Sequence, residues 1–265
     1  MAMLKWDQVG ERLYETGTKK GVLYPQAAGG TYPKGVAWSG LTSVSESPDG
    51  GDANDIYADD IKYLVLRGVE NFGGTIEAYT YPDEWAECDG SATLAAGVTI
   101  GQQPRKTFGF SYVSTIGNDV QLDSYGYKIH LIYGASASPS ERSYETQDDS
   151  PEPINFSWEF TTVPVDVTGH KPTSCITIDS TKFTDAAGKA KLKALEDALY
   201  GTEQTEARLP LPDEVLRILT GTPTYLEFTG SAFESGVTYY EKSGNEYVET
   251  TDTEMDTNKT YYTKA

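Results

Sequence analysis

The sequence predicts a mainly β chain: an antiparallel β-sandwich or partly closed barrel with one flanking α-helix and a small C-terminal β appendage. The clearest observation is the alternation within 154–161, where one face carries large apolar side chains: Ile154, Phe156, Trp158 and Phe160. Successive side chains of a strand point to opposite sides, so this pattern indicates a sheet with one buried face. Similar alternation occurs at 107–112, at 127–133 and, more weakly, at 73–81.

The composition supports this fold class. The chain has 265 residues, 38% of them hydrophobic, and 19 are tyrosine, a residue that favours strands. No apolar run approaches the ~20 residues that span a bilayer. The first residues contain no apolar segment typical of a secretory signal, so the expectation is a protein made and kept in the cytosol.

Residues 1–35 are predicted to form an arm rather than a packed element. Glycines and prolines interrupt every regular period there, among them Gly10, Gly17 and Pro25. Apolar side chains without a fold of their own commonly order against another surface. Such an arm is expected to lie along a surface of the same subunit or of another one.

Two strands are predicted next, at 36–45 and 56–66, separated by the acidic, turn-rich segment 46–55. This segment is longer than the ~2–5 residues of an ordinary hairpin loop. It is predicted to be an extended loop that reaches a partner, with a mobile hairpin tip as the alternative. A short helical turn is expected at 82–90, begun by Pro82 and ended by Gly90.

The middle of the chain predicts a strand pair at 105–116 and 125–136, followed by strands at 154–165 and 173–180. The main helix follows, with Thr184 or Asp185 as its N-cap and Gly201 at its end. Its buried side has the spacing of Leu192, Leu195 and Leu199. A shorter helix is predicted at 213–219.

The composition changes after Gly221, and residues 222–265 are predicted to form a separate β appendage behind a domain at 1–221. Thr238-Tyr239-Tyr240 and Thr260-Tyr261-Tyr262 belong to a quasi-repeat with an offset of 22 residues. A turn signal at 243–245 joins two short strands between the copies. The alternative interpretation is a flexible tail.

The sequence contains no motif that predicts catalysis. It lacks GxSxG, HExxH, a Walker loop and a dinucleotide-binding glycine pattern. His130 is expected to be solvated or hydrogen-bonded rather than a general base, and His170 lies in a predicted turn. Cys88 and Cys175 lack metal-ligand or disulfide-framework spacing and are expected to be unpaired thiols. No enzyme activity, metal or cofactor is predicted.

The net charge of −19 argues against a groove that grips nucleic acid, because phosphate binding requires clusters of lysine and arginine. On composition alone, the charge is expected to serve solubility.

Thirteen segments resemble the major tail proteins of long-tailed bacteriophages. They are 6–8, 10–16, 21–25, 32–38, 78–84, 87–90, 101–103, 105–109, 116–118, 125–131, 157–159 with 178–181, and 208–213. The similarity spans about residues 1–221; the appendage is only vaguely similar to small β modules attached to such proteins.

The resemblance implies a tail-tube subunit without catalytic residues. Six copies would form a ring, and rings would stack head to tail into a hollow tube through which DNA leaves the head. The implied location is the virion tail, and the implied partners are the chain itself and the tape-measure, tail-terminator and distal tail proteins. The resemblance implies no membrane partner, and DNA is expected to pass without specific binding because carboxylates that face the lumen would repel its phosphates.

Candidate residues follow from this implication. Glu77 and Glu159 are predicted to face the lumen, with the outer surface as the alternative for each. The candidate assembly contacts are Trp6, Leu13, Tyr14, Leu23, Tyr24, Pro48, Asp49 and Asp52. The rival function is a carbohydrate- or cell-surface-binding β-sandwich, which exposed tyrosine and tryptophan would favour.

Overall fold

The computed structural model describes residues 3–51, 53–144, 146, 149, 151–221, 225–228, 230, 232–233, 237–243, 246–256 and 259–264. The fold is mainly β, as predicted, with antiparallel pairing in every sheet of these residues. Three α-helices accompany the sheets: α1 (Trp85–Asp89), α2 (Ala186–Tyr200) and α3 (Pro212–Thr220). A 3-10 turn, Ser180–Lys182, precedes α2.

Among the described residues, fourteen strands precede the helix α2. They are β1 (Leu13–Pro25), β2 (Val36–Trp38), β3 (Leu41–Glu46), β4 (Asp49–Gly50), β5 (Ala53–Ala58), β6 (Ile61–Arg67), β7 (Glu70–Asn71), β8 (Gly73–Ala78), β9 (Ala92–Ala95), β10 (Val98–Ile100), β11 (Phe108–Asn118), β12 (Leu122–Ala137), β13 (Phe156–Thr162) and β14 (Cys175–Asp179). Four more follow α3: β15 (Tyr225–Glu227), β16 (Tyr239–Ser243), β17 (Glu246–Glu249) and β18 (Tyr261–Lys264).

The largest sheet has eight strands in the order β2-β1-β11-β12-β13-β8-β3, and β14 also pairs with β12. Within the described residues this pairing does not return to its starting strand, so the sheet is open rather than a closed barrel. One face nevertheless surrounds a single core with side chains from both ends of the sheet, such as Trp38 of β2 and Ile76 of β8. The sheet therefore curves strongly around its core.

The core is aromatic, as the alternation in 154–161 predicts. The ring centroid of Trp38 lies 4.7 Å from that of Trp85 and 5.5 Å from that of Trp158. Trp85 and Trp158 are 5.4 Å apart, and Phe110 meets Trp38 edge-on. Tilted and edge-to-face contacts of this kind are the favoured aromatic geometries. All four rings are buried, so they fix how tightly the sheet closes over this face.

We expect Trp158→Ala to lower the free energy of unfolding by about 3–5 kcal/mol, because it removes a buried indole and leaves a cavity. Chemical denaturation followed by fluorescence measures this change. The matched control is Trp6→Ala: Trp6 is 72% exposed, so its removal should change stability by less than about 0.5 kcal/mol. Equal losses in the two variants would contradict the assignment of the core.

The helix α2 covers the opposite face of β11 and β12. Leu192, Leu195 and Leu199 are buried, as their spacing predicts. The Asp185 carboxylate caps the helix by accepting from the Gly188 amide at 3.0 Å. Two tyrosines tie the helix to the sheet: the Tyr24 hydroxyl donates to the Leu199 carbonyl, and the Tyr127 hydroxyl to Glu196, each at 2.8 Å.

The prediction of an N-terminal arm at 1–35 is wrong for most of that segment. β1 runs from Leu13 to Pro25 and pairs with both β11 and β2. Register shifts between Thr16 and Val22, together with a positive φ at Gly17, explain why no alternation is visible in the sequence. Two bulges therefore obscure, in the sequence, an internal strand that lies between β2 and β11.

The chain divides into two compact units, Met1–Asp213 and Glu214–Ala265. The boundary lies within α3, eight residues before the predicted start of the appendage at 222. In the second unit the described strands form a sheet of order β15-β18-β16-β17. Tyr239 and Tyr261, equivalent positions of the quasi-repeat, are both buried, and the Phe233 ring lies 4.3 and 4.8 Å from theirs. The repeat thus supplies the core of this small sheet.

None of the described helices has the length and apolar character needed to cross a membrane.

Candidate assembly surface

The most prominent feature of the surface is a long β-hairpin that leaves the large sheet between β3 and β8. The paired strands continue as β4 with β7 and then as β5 with β6. Its tip is the two-residue turn Asp59-Asp60, with φ of 52° and 60°. Positive φ at both residues is the signature of a type I′ turn, which matches the twist of the flanking strands. We call residues 49–71 the projecting hairpin.

This arrangement corrects the prediction of an extended loop at 46–55. Glu46 still belongs to β3, and Asp49 pairs with Asn71. Ala53 begins β5 and pairs with Arg67. The element that extends from the domain is therefore a paired ribbon centred on Asp59-Asp60, because backbone pairing satisfies amide groups that a polar loop would leave to water.

The ribbon narrows between its two paired sections, where two glycines face each other. A Cβ atom added at Gly51 would lie 2.8 Å from the Gly68 Cα, and one added at Gly68 would lie 3.0 Å from the Gly51 Cα. Side chains at either position would push the two strands apart. The glycine pair therefore allows the strands to approach closely where the ribbon leaves the domain.

The projecting hairpin exposes large apolar side chains on both sides. Beyond a register shift at Tyr63, Leu64 and Leu66 point to one side of β6, whereas Val65 points to the other. Every residue of this strand is exposed, Tyr63 to 66% and Leu66 to 55%. A two-stranded hairpin is marginally stable in water, and exposed apolar patches of this kind mark interaction sites. The hairpin has the properties of a segment that becomes buried against another surface.

The sequence predicted a strand at 56–66 but did not identify its residues as candidates for contact with another surface. The missed candidates are Tyr57, Ile61, Tyr63, Leu64, Val65, Leu66 and Val69. The sequence did contain a signal. Residues 63–66 read Tyr-Leu-Val-Leu, so they lack the alternation of apolar and polar residues that is typical of a strand with one solvent-exposed face. A strand buried on both faces shows such a run, whereas a strand on the sheet surface alternates.

The predicted contact residues separate into three groups. Trp6, Leu13 and Tyr14 are exposed, and the Tyr14 hydroxyl donates to Asp123 at 2.9 Å. Leu23 and Tyr24 are 0% exposed core residues, so their assignment as contacts is wrong. The third group lies where the projecting hairpin leaves the large sheet. Pro48 and Asp49 are exposed there, and Asp52 lies outside the described residues.

Glu77 and Glu159 lie on one polar face of the sheet. Ser157 is opposite Glu77 in the register and Glu159 is opposite Thr75, so the two carboxylates are diagonal neighbours. The opposite face of the same strands is the aromatic core. Ser43 donates to Glu77 at 2.9 Å, which holds that carboxylate in place. The strands β3, β8 and β13 contain no lysine, arginine or histidine, so this face is uniformly neutral or acidic.

The thiols have little chemical reactivity in this environment. Burial raises the pKa of Cys88 to about 12. Burial, followed by the charge of Glu46, also raises the pKa of the half-buried Cys175. Thiols with raised pKa are poor nucleophiles because the thiolate is scarce at neutral pH. Within the described part of the chain, no group of three or more histidine, cysteine or acidic side chains is arranged to hold a metal ion.

Comparison of the chain with protein-family models and with curated proteins finds no match.

Proposed function

We propose that this protein is a structural subunit that self-assembles into stacked hexameric rings and forms the tail tube of a bacteriophage. The tube is the conduit through which DNA is ejected. The chain acts in the virion tail after synthesis in the bacterial cytoplasm. Its partners are other copies of itself and the tape-measure, tail-terminator and distal tail proteins. The resemblance of residues 1–221 to major tail proteins supports this proposal.

The observation that carries the proposal is the projecting hairpin. Head-to-tail stacking needs a surface on one copy that fits a different surface on the next. The ribbon extends from the domain and exposes apolar side chains on both sides. Other chains can bury both sides only if the ribbon enters a groove or lies between two chains. In this proposal the groove belongs to a neighbouring copy. Burial of five large apolar side chains at about 1.5–3 kcal/mol each offsets the ordering of the ribbon.

The polar face that carries Glu77 and Glu159 supports the proposal that the protein forms a conduit for DNA. A wall that carries carboxylates and hydroxyl groups but no cation repels the phosphates of passing DNA instead of binding them. The net charge of −19 agrees with this requirement. In the proposed tube, the Glu77–Glu159 face lines the lumen.

We expect the concentrated full-length protein to form rings or tubes, and the protein that lacks residues 222–265 to form the same tube. The reason is that the large sheet, its core and the projecting hairpin all lie within Met1–Asp213. Negative-stain electron microscopy of both proteins, at several salt concentrations, measures this. Monomers of the full-length protein under every condition would overturn the proposed function. Tubes from the full-length protein alone would assign the tube contacts partly to the second unit.

A further inference from the structure

The tip of the projecting hairpin carries two adjacent carboxylates. Asp59 and Asp60 are both exposed, and both have positive φ. Type I′ turns of this kind favour Asn-Gly, because a side chain at positive φ is strained and glycine is not. The two carboxylates also repel each other, and within the described residues neither forms an ion pair. The geometry of the turn therefore does not account for this pair of charges, whereas contact with a cationic surface does.

Large apolar side chains flank this acidic tip. Tyr57 is 67% exposed and Ile61 is 63% exposed. A surface that buries the tip must therefore place lysine or arginine beside apolar groups. The chain has 21 basic residues against 40 acidic ones, so a place where several cations converge stands out on this molecule.

One such place is a depression of about 440 Å³ where α2 meets the strands β1 and β12. Its cations are three lysines: Lys19, Lys189 and Lys193. Its larger apolar side chains are Tyr125, Phe183 and Leu192. The volume is in the range of depressions that hold a small group or a short piece of chain. The depression thus offers the combination that the tip requires.

Two of these lysines are available to a partner. Lys19 and Lys189 are exposed, and neither forms an ion pair within the part of the chain that the structure describes. Lys193, in contrast, is paired with Asp197. Lys189 also lies in the first turn of α2, where the positive end of the helix dipole disfavours a cation. The stability of the helix therefore does not explain this lysine.

The acidic side chains of the depression are already engaged. Asp123 accepts a hydrogen bond from the Tyr14 hydroxyl at 2.9 Å, and Glu196 accepts one from the Tyr127 hydroxyl at 2.8 Å. Each carboxylate is thus held on a tyrosine, and neither is paired with one of the two exposed lysines. An anion that enters the depression can pair with those lysines without displacing an existing ion pair.

We propose that the Asp59-Asp60 tip of one copy docks into the depression of a second copy, with its carboxylates on Lys19 and Lys189. This inference rests on the proposed function, because it names the groove that the projecting hairpin of a neighbouring copy enters. The apolar side chains beside the tip then cover the apolar lining of the depression. The tip and the depression are different surfaces of one chain, so the contact is head-to-tail and repeats along a stack.

Zero-length cross-linking of the concentrated full-length protein tests the contact directly. A carbodiimide joins a carboxylate and an ammonium group that touch into an amide, and the carbodiimide takes up the water that is lost. A mixture of isotope-labelled and unlabelled chains separates links between copies from links within one copy. We expect mass spectrometry to find Asp59 or Asp60 linked to Lys19 or Lys189 between copies. Absence of these links would overturn the docking, whether or not tubes form.

Charge reversal tests the same contact through assembly. Lys19→Glu with Lys189→Glu places acids opposite the acidic tip, and Asp59→Lys with Asp60→Lys places cations opposite the lysines. Each variant alone should raise the protein concentration needed for polymerisation by at least about tenfold, because like charges face each other. An equal mixture of the two variants should polymerise again, since each tip then meets a depression of opposite charge. Normal polymerisation of either variant alone, or no recovery in the mixture, would contradict the docking.

A further variant separates charge from folding. Asp59→Asn with Asp60→Gly removes both charges and introduces the dipeptide that a type I′ turn favours, so the hairpin is retained. The concentration needed for polymerisation should rise about two- to fivefold and depend less on salt, as expected for the loss of partly exposed ion pairs. Unchanged polymerisation of this variant would overturn the docking.

The matched control is Lys171→Glu with Lys242→Glu. It changes the net charge by the same amount as the double substitution in the depression, on exposed lysines that do not line it. We expect this variant to polymerise like the unsubstituted protein, and an equal loss in both would overturn the docking. If the unsubstituted protein forms no tubes, the proposed function fails, and the cross-links between copies still decide the docking.

Discussion

Removal of residues 1–35 is expected to unfold the protein, whereas removal of residues 1–11 is expected to leave it folded. The longer deletion eliminates β1, which lies between β2 and β11 in the large sheet. It also removes Leu23 and Tyr24, both 0% exposed. One large aromatic core side chain alone contributes about 3–5 kcal/mol, and a whole domain has about 5–15 kcal/mol of stability. Thermal unfolding followed by circular dichroism measures the result.

The shorter deletion is the matched control because it ends before Leu13, where β1 begins. It removes exposed side chains such as Trp6 and two hydrogen bonds of Gly10, one to Asn118 and one to Asp119. We expect a loss of about 1–2 kcal/mol from those bonds. A cooperative unfolding transition in the protein without residues 1–35 would show that β1 is dispensable and would restore the N-terminal arm predicted from the sequence.

The double substitution Tyr63→Lys with Val65→Lys is expected to abolish polymerisation and leave the subunit folded. Both side chains are exposed on the projecting hairpin, so lysine is tolerated in the monomer. In an assembled tube, each lysine would bury an unpaired charge at a cost of several kcal/mol. Electron microscopy and analytical ultracentrifugation measure assembly, and chemical denaturation measures folding.

The control for this variant is Val248→Lys in the second unit. Val248 is 53% exposed on β17, an environment comparable to that of Val65 at 43%, but it lies outside the unit proposed to build the tube. We expect Val248→Lys to polymerise normally. Normal tubes from the Tyr63 and Val65 double variant would refute the role of the hairpin. Loss of polymer in both variants would indicate an effect of added positive charge in general.

The sequence predicted strands well where one face of the strand is buried and the other is exposed to solvent. The predicted pair 105–116 with 125–136 is present as β11 with β12, and the strands predicted at 154–165 and 73–81 are present as β13 and β8. The cap at Asp185 and the buried leucines of α2 are confirmed for a similar reason, since both signals depend on residues a few positions apart.

The prediction from sequence failed where both faces of a strand carry similar side chains or where a bulge interrupts the two-residue alternation. β1 contains bulges at 16–22, so its alternation shifts and the strand resembles an irregular arm. The segment 63–66 has apolar side chains on both sides, and a sequence pattern does not distinguish a strand buried inside a sheet from one that is exposed on a hairpin. The pairing of Asp49 with Asn71 also has a sequence separation that local rules do not reach.

The candidate site was likewise predictable from the sequence only in part. Glu77 and Glu159 were each predicted on a polar face, and the register places them beside each other on one surface. The depression lined by Lys19 of β1 and Lys189 of α2 depends on segments that are distant in the chain and was not predicted.

From the amino-acid order alone follow the mainly β class, the aromatic face of Trp158, the capped helix and the repeat that builds the C-terminal sheet. These properties arise from side chains that are close in the chain, where the two-residue and 3.6-residue periods apply. The tertiary structure alone decided that Leu13–Pro25 is an internal strand and that 49–71 is a projecting hairpin. Both depend on hydrogen bonds between distant segments, whose register is set by packing of the whole sheet and not by any local pattern.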